Sequence, residues 1–140
     1  MALPSVGGGY QNTDGNQNEQ TIGTQAAPQT ATATATLSVA QITGGLLVGS
    51  PSTTAASYTL PTATLIDATM TNMKVNSTFR LNIINLGTST GLITVVVGTG
   101  ITAVGNLVVA ITGSAAGVSG AAEFVFRKTD TAAYSVYRVA

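Results

Sequence analysis

From Leu37 to the end of the chain, short β-branched runs alternate with clusters of Gly, Asn, Ser and Thr. The clearest run is Phe79-Arg-Leu-Asn-Ile83, in which apolar residues occupy every second position and Arg80 and Asn82 lie between them. Strict period-two alternation is typical of a strand with one buried face and one exposed face. Many short strands separated by turn residues predict an all-β sandwich or a small barrel.

The same pattern predicts eight further strands and one short helix. The helix is expected at Thr62–Met70, because its large apolar residues share one face at helical spacing and Thr62 can cap it. The run at 79–83 is expected to pair with the run at 93–97 as a hairpin, because residues 86–92 have turn chemistry. The other strands are expected at 37–42, 46–48, 57–60, 101–104, 107–111, 122–127 and 134–139.

Residues 92–111 are apolar over a length that could suggest a membrane helix. Val, Ile and Thr dominate the stretch, and Gly98, Gly100 and Gly105 interrupt it. That composition favours short strands over a helix, and no Lys or Arg flanks the stretch as an anchor. We therefore predict no membrane partner.

Residues 1–36 form a segment of different character, rich in Gly, Gln, Asn, Thr and Ala. The segment has too few large apolar residues to bury a core of its own and too few charges for a solvated tail. We predict an extended arm at 1–36 that lies on a partner, followed by a β domain at 37–140. A terminus without a role is the alternative. The arm's candidate contact residues are Leu3, Val6, Tyr10 and Ile22.

Charged residues make up 7% of the chain and the net charge is zero, whereas an ordinary domain has about 25% charged residues. Low charge favours association with other protein.

The chain has no Cys and no His, which removes disulfides, thiolate chemistry and the usual zinc ligands. The five basic residues are scattered, so nucleic acid is not an expected ligand. No secretory signal is visible, and synthesis in a cytoplasm is expected.

Several predicted strands are apolar on both faces, and a second apolar face needs a cover. A subunit interface would provide that cover. Tyr134 and Tyr137 are an odd number of residues apart and therefore lie on opposite faces of their strand; one is expected in the core and the other at the interface. The candidate interface residues are Val96, Val108, Val125 and Tyr137.

The β domain has three carboxylates, at Asp67, Glu123 and Asp130. Two of them could in principle form an acid and base pair, but nothing in the sequence brings two together, and ion pairs with Arg80, Arg127 or Lys128 are expected instead. The glycine spacing at 100–105 lacks the Lys of a phosphate-binding loop, and residues 14–19 lack the Gly of a calcium loop. We predict no enzyme activity, no cofactor and no metal.

The β domain resembles the decoration, or cement, proteins of tailed bacteriophages, especially those of cyanobacteria. The resemblance implies an antiparallel, jelly-roll-like β sandwich that forms a homotrimer on the capsid exterior, with arms over the major capsid protein. The expected location is therefore the virion. The segments that resemble the family are Thr59-Leu60-Pro61, Ser77 to Asn85, Ile93 to Gly100, Val104-Gly105-Asn106, Phe126-Arg127-Lys128 and Tyr134 to Arg138.

Similar modules occur in phage fibres and spikes. The alternative function is therefore a carbohydrate-binding β sandwich that recognises a host surface. Such a module is expected to expose aromatic platforms for sugars, and the aromatic content of 5% argues against it.

Overall fold

The structure is a computed structural model that describes residues 9–10, 22–112 and 120–140. Strands account for most of the regular structure, as predicted, and two short helices accompany them. Neither helix is long and apolar enough to cross a membrane, and this holds for all the described ranges. The elements are β1 (Gly9–Tyr10), β2 (Ile22–Gly23), β3 (Gln29–Ala31), β4 (Ala35–Thr36), α1 (Val39–Thr43), β5 (Leu46–Gly49), β6 (Ala56–Thr59), α2 (Ala63–Thr69), β7 (Thr78–Asn85), β8 (Ile93–Val96), β9 (Ile101–Val104), β10 (Val108–Val109), β11 (Ala121–Asp130) and β12 (Ala133–Arg138).

The described strands form three sheets. A six-stranded sheet has the order β3-β5-β7-β11-β12-β9, and a four-stranded sheet has the order β10-β8-β6-β4. A separate two-stranded sheet consists of β1 and β2, which we call the β1–β2 ribbon. The two larger sheets enclose the core between them, and this two-sheet, mostly β architecture confirms the coarse fold prediction.

The prediction of purely antiparallel sheets is wrong. Strands β5, β6, β7 and β8 belong alternately to the six-stranded and the four-stranded sheet. Because the chain crosses to the opposite sheet after each strand, it returns in the same direction, and β5 runs parallel to β7 as β6 runs parallel to β8. Antiparallel pairing is confined to β7, β11 and β12 in one sheet, β8 and β10 in the other, and the ribbon.

The predicted hairpin between 79–83 and 93–97 is also wrong, because β7 and β8 lie in different sheets. Residues 86–92 connect the two sheets. Leu81 and Ile83 point into the core from one sheet, and Ile93 and Val95 point into it from the other. The period-two alternation within each strand is confirmed, since Arg80 and Asn82 are exposed while Leu81 and Ile83 are buried.

The two sheets approach each other closely at Gly49. A Cβ atom at this position would collide with the side chains of Ile93 and Tyr58. At the other end of the core, the rings of Phe79 and Phe126 stack with centroids 4.7 Å apart. The fully buried large side chains are Leu37, Ile42, Leu47, Tyr58, Leu60, Ile66, Leu81, Ile83, Ile93, Phe124, Phe126 and Tyr134.

The predicted helix is confirmed as α2, and the Thr62 side chain accepts a hydrogen bond from the Leu65 N–H at 3.3 Å. The strand predicted at 37–42 is wrong, because this segment contains α1. A capping box begins α1: the Ser38 hydroxyl accepts from the Gln41 N–H, and the Gln41 side chain accepts from the Ser38 N–H. Val39 and Ile42, three residues apart, are both buried.

Part of the predicted arm belongs to the sheets. Strand β3 pairs in parallel with β5, and β4 pairs in parallel with β6. The segment 29–36 therefore passes from one sheet to the other and closes one end of the sandwich. The division into an arm at 1–36 and a domain at 37–140 stays a prediction, but residues 29–31 and 35–36 pair with the body.

Candidate interaction surface

The most unusual surface is the side of the six-stranded sheet that faces away from the core, which we call the outer face. Its residues alternate along each strand with buried ones, and strand pairing aligns them in rows. The central row runs from the sheet edge inwards as Val104, Tyr137, Val125 and Arg80. The other outer-face residues are Thr30, Leu46, Val48, Thr78, Asn82, Ile84, Thr102, Ala121, Glu123, Arg127 and Ser135.

Apolar residues occupy much of this outer face. Leu46, Val48, Ile84 and Val125 are each partly exposed, and Val104 at the sheet edge is 44% exposed. The solvent side of a sandwich strand is normally polar. The register divides these residues into two patches, Leu46-Val48-Ile84 and Val104-Tyr137-Val125, with Asn82, Glu123 and Arg80 between them. Apolar patches on such a side are typical of a surface that another protein covers.

The charged residues of the outer face are partnered within the chain. Arg80 and Glu123 form an ion pair on neighbouring strands. The Arg127 guanidinium lies 6.0 Å from the centroid of the Tyr137 ring, donates to the Tyr137 hydroxyl at 3.2 Å and donates to Asn76 Oδ1 at 2.8 Å. The Arg80–Glu123 ion pair reduces the desolvation cost of covering the face, whereas the described partners of Arg127 are neutral and leave its positive charge unbalanced.

The contact with Arg127 also changes the acidity of Tyr137. Its hydrogen bond to the Tyr137 oxygen holds the pKa of that hydroxyl below its usual range, because it stabilises the phenolate. The ring of Tyr137 therefore presents a flat, partly exposed surface whose polar end is already bound. Such a residue suits a protein interface.

The four predicted interface residues do not form one patch. Val125 and Tyr137 are register partners on the outer face of the six-stranded sheet. Val96 and Val108 lie on the outward side of the four-stranded sheet, where Val96 is 40% exposed and pairs with Thr59. The two pairs are therefore on opposite sides of the sandwich. Threonines and serine surround the second pair, whereas Val104, Arg80, Glu123 and Arg127 border the first.

The predicted arm contacts are only partly within the described residues. Leu3 and Val6 lie outside them. Tyr10 and Ile22 are register partners in the β1–β2 ribbon. Their assignment to a capsid contact stays a prediction.

Asp67 is the centre of a polar cluster that joins α2 to the β11–β12 turn. Its Oδ1 accepts from Lys128 Nζ at 2.8 Å and from the Tyr134 hydroxyl at 2.6 Å, and its Oδ2 accepts from the Ala132 N–H at 2.7 Å. The hydrogen bond from Lys128, followed by that from Tyr134, lowers the pKa of Asp67 to about 2. Burial, reinforced by Asp67, raises the pKa of Tyr134. The cluster therefore holds a fixed charge distribution at neutral pH.

The three carboxylates of the β domain have different partners. Asp67 pairs with Lys128 and Glu123 with Arg80, which confirms two of the predicted ion pairs. Asp130 accepts from the Thr131 N–H at 2.7 Å. Within the described part of the chain, no three His, Cys, Asp or Glu residues are grouped so that they could hold a metal ion. The absence of enzyme activity stays a prediction.

The sequence interpretation missed two parts of this surface. The outward positions of Leu46, Val48 and Ile84 were not predicted, although the consecutive apolar residues at 46–48 and 83–84 indicate strands that are apolar on both sides. The position of β9 at the sheet edge was also missed. Strand order follows from tertiary pairing, which no local pattern encodes.

Comparison with known proteins adds no relative. No family model, no curated protein and no solved structure matches this chain.

Proposed function

We propose that this chain is a structural protein of a phage virion that binds the assembled lattice of the major capsid protein and stabilises it. The observation that carries the proposal is the outer face, which presents two apolar patches and whose charged side chains have hydrogen-bond partners within the chain. A surface of this kind supports adhesion to protein. The jelly-roll topology, the homotrimer and the place on the capsid exterior are parts of the same proposal, and the resemblance described above supports them.

In this proposal the two regions of the chain have separate roles. The outer face, with Val125 and Tyr137, contacts other copies of the chain, and the first residues of the arm contact the shell. A ligand that binds only the closed lattice stabilises that lattice by mass action. Several identical arms on one oligomer add avidity.

The shell contact is tested by a double substitution near the start of the arm. Leu3→Asp with Val6→Asp replaces two large apolar side chains, each worth about 1.5–3 kcal/mol when buried. The variant is expected to lose at least tenfold in occupancy on shells assembled from the major capsid protein of the same phage, measured by co-sedimentation. Ala2→Asp with Ser5→Asp is the matched control, because it adds the same charge without removing a large apolar group.

Wild-type occupancy for the Leu3 and Val6 variant would refute the role of the arm. If the wild-type chain itself does not sediment with shells, the decoration function is wrong.

Binding to a glycan array tests the alternative function, which is carbohydrate recognition. Among the aromatic side chains that the structure describes, only Phe79 and Tyr137 are not buried, and Phe79 stacks on Phe126; specific sugar binding is therefore not expected.

A further inference from the structure

Strand β9 is an edge strand without the usual protection. It lies at one end of the six-stranded sheet and, among the described strands, pairs only with β12. Exposed sheet edges are normally blocked by Lys, Pro, inward charges or bulges, because they can pair with another chain. The four residues Ile101–Val104 include none of these, and Thr102, Ala103 and Val104 are exposed.

The register shows which backbone groups of β9 face outwards. Tyr134 is the partner of Ile101, and its N–H donates to the Gly100 carbonyl at 3.0 Å. In a parallel ladder, the N–H and C=O of one residue point to the same neighbouring strand, and those of the next residue point to the opposite side. The Gly100 carbonyl faces β12, so the backbone groups of Thr102 and Val104 also face β12. The N–H and C=O of Ala103 therefore point to the free edge. The apolar row of Val104, Tyr137 and Val125 ends at the same edge.

The β1–β2 ribbon is a small sheet that needs a further strand. Its two strands pair with each other and with no other described strand. A two-stranded sheet is marginal in water, and a third strand or an apolar support is needed for stable structure. The paired residues of the ribbon, Gly9, Tyr10, Ile22 and Gly23, carry no charge.

Chain length prevents the ribbon from reaching the β9 edge of its own subunit. From Gly23 to Gln29 the chain spans at most about 21 Å, at about 3.5 Å per residue. The position beyond β9 is six strand spacings from β3, or about 29 Å at about 4.8 Å each. Gln25 shortens the reach further, because its Nε2 donates to the Gly44 carbonyl at 2.6 Å beside the start of β5.

We propose that the β1–β2 ribbon of one copy adds to the free edge of β9 in a second copy of this chain. Each copy then donates one ribbon and accepts another. Such a head-to-tail contact closes into a ring when the rotation permits, and the trimer of the proposed function is one such ring. This inference goes beyond shell binding and does not depend on it. It assigns Tyr10 and Ile22 to a neighbouring subunit and leaves Leu3 and Val6 as shell contacts.

The test uses two variants that each remove one half of the contact. Ala103→Pro removes the outward N–H of β9 and leaves its bonds to β12, and Ala103→Thr is the control that keeps the N–H. Deletion of residues 1–23 removes the ribbon and leaves β3 in place. Light scattering on a sizing column measures the mass of each protein. The wild type and Ala103→Thr are expected as oligomers and Ala103→Pro as a monomer of about 14.0 kDa. The truncated protein is expected as a monomer of lower mass, because it lacks residues 1–23.

Mixing provides the decisive result. The Ala103→Pro protein retains a ribbon and the truncated protein retains an edge, so the mixture is expected to form a complex with one copy of each. A wild-type monomer, an oligomeric truncated protein, or two monomers that do not combine would each overturn the proposal. If circular dichroism shows that Ala103→Pro is unfolded, Val104→Lys replaces it, because a Lys at the edge also blocks strand addition.

Discussion

Asn85 is the one fully buried polar side chain in the described core, and it joins the two sheets. Its Nδ2 donates to the carbonyls of Gly91, Val109 and Ala110 at 2.9, 3.1 and 3.1 Å. Its Oδ1 accepts from the Gly87 N–H at 2.7 Å. We predict that Asn85→Asp destabilises the fold strongly and in a pH-dependent manner, although the two side chains have nearly the same shape.

The magnitude has two parts. A protonated Asp has one O–H donor where Asn85 has two N–H groups, and losing a buried donor costs about 1–3 kcal/mol. A deprotonated Asp faces three carbonyls with no donor, so burial and these dipoles raise its pKa in the folded state. Because the folded-state pKa exceeds the unfolded value of about 3.9, stability is retained below that pH and lost above it, by about 1.4 kcal/mol per pH unit.

Urea unfolding at several pH values between acid and neutral measures this effect. Asn106→Asp is the matched control. Asn106 is exposed, and its Oδ1 accepts a hydrogen bond from the Val108 N–H at 3.0 Å, which a carboxylate oxygen can also accept. The difference in unfolding free energy between the two variants is expected to be about 1–3 kcal/mol at acid pH and to grow by about 4 kcal/mol towards neutral pH, for a folded-state pKa raised by about 3 units. A difference below about 0.5 kcal/mol, or one that does not change with pH, would refute the role assigned to Asn85.

Three further predictions concern other contacts. The lowered pKa of Asp67 means that its ion pair stabilises the fold above pH 4 and is lost as the pH falls from about 4 to about 2. Asp67→Asn is therefore expected to make the stability less dependent on pH in that window, as measured by circular dichroism during acid unfolding. Ser38→Ala removes the cap of α1 and is expected to cost about 1 kcal/mol in urea unfolding, whereas Ser57→Ala, outside any cap, is expected to have little effect. Arg127→Gln is expected to raise the pKa of Tyr137, and an ultraviolet titration that shows no upward shift in the first tyrosinate would contradict this.

The sequence predicted those features that local patterns encode. Alternation at 79–83 correctly identified the buried and exposed sides of β7, and Thr62 correctly marked the start of α2. The odd spacing of Tyr134 and Tyr137 correctly placed one of them in the core, and the structure shows that it is Tyr134. Each of these predictions depends only on residues that are neighbours in the chain.

The errors arose where a pattern has two structural meanings. Residues 86–92 have turn chemistry, which serves a hairpin and a crossing between sheets equally well. The apolar residues near the start of the domain suggested a strand, although Ser38 and Gln41 form a capping box that indicates a helix. The interface assignment stays a prediction. Parity showed that Val96 and Val125 point outwards, but it could not show that they lie on opposite sheets.

The pairing of charges within the outer face has a consequence for how this protein associates. Arg80 is bound to Glu123, and Arg127 to Tyr137 and Asn76. A partner on this side therefore meets apolar patches, charges that already have hydrogen-bond partners and, at β9, unpaired backbone. Association through such groups depends weakly on ionic strength, whereas charge-steered association weakens steeply with salt. Excluded salts such as sulfate strengthen apolar burial. An oligomer held by these contacts is therefore expected to be retained, and not dissociated, as the salt concentration rises.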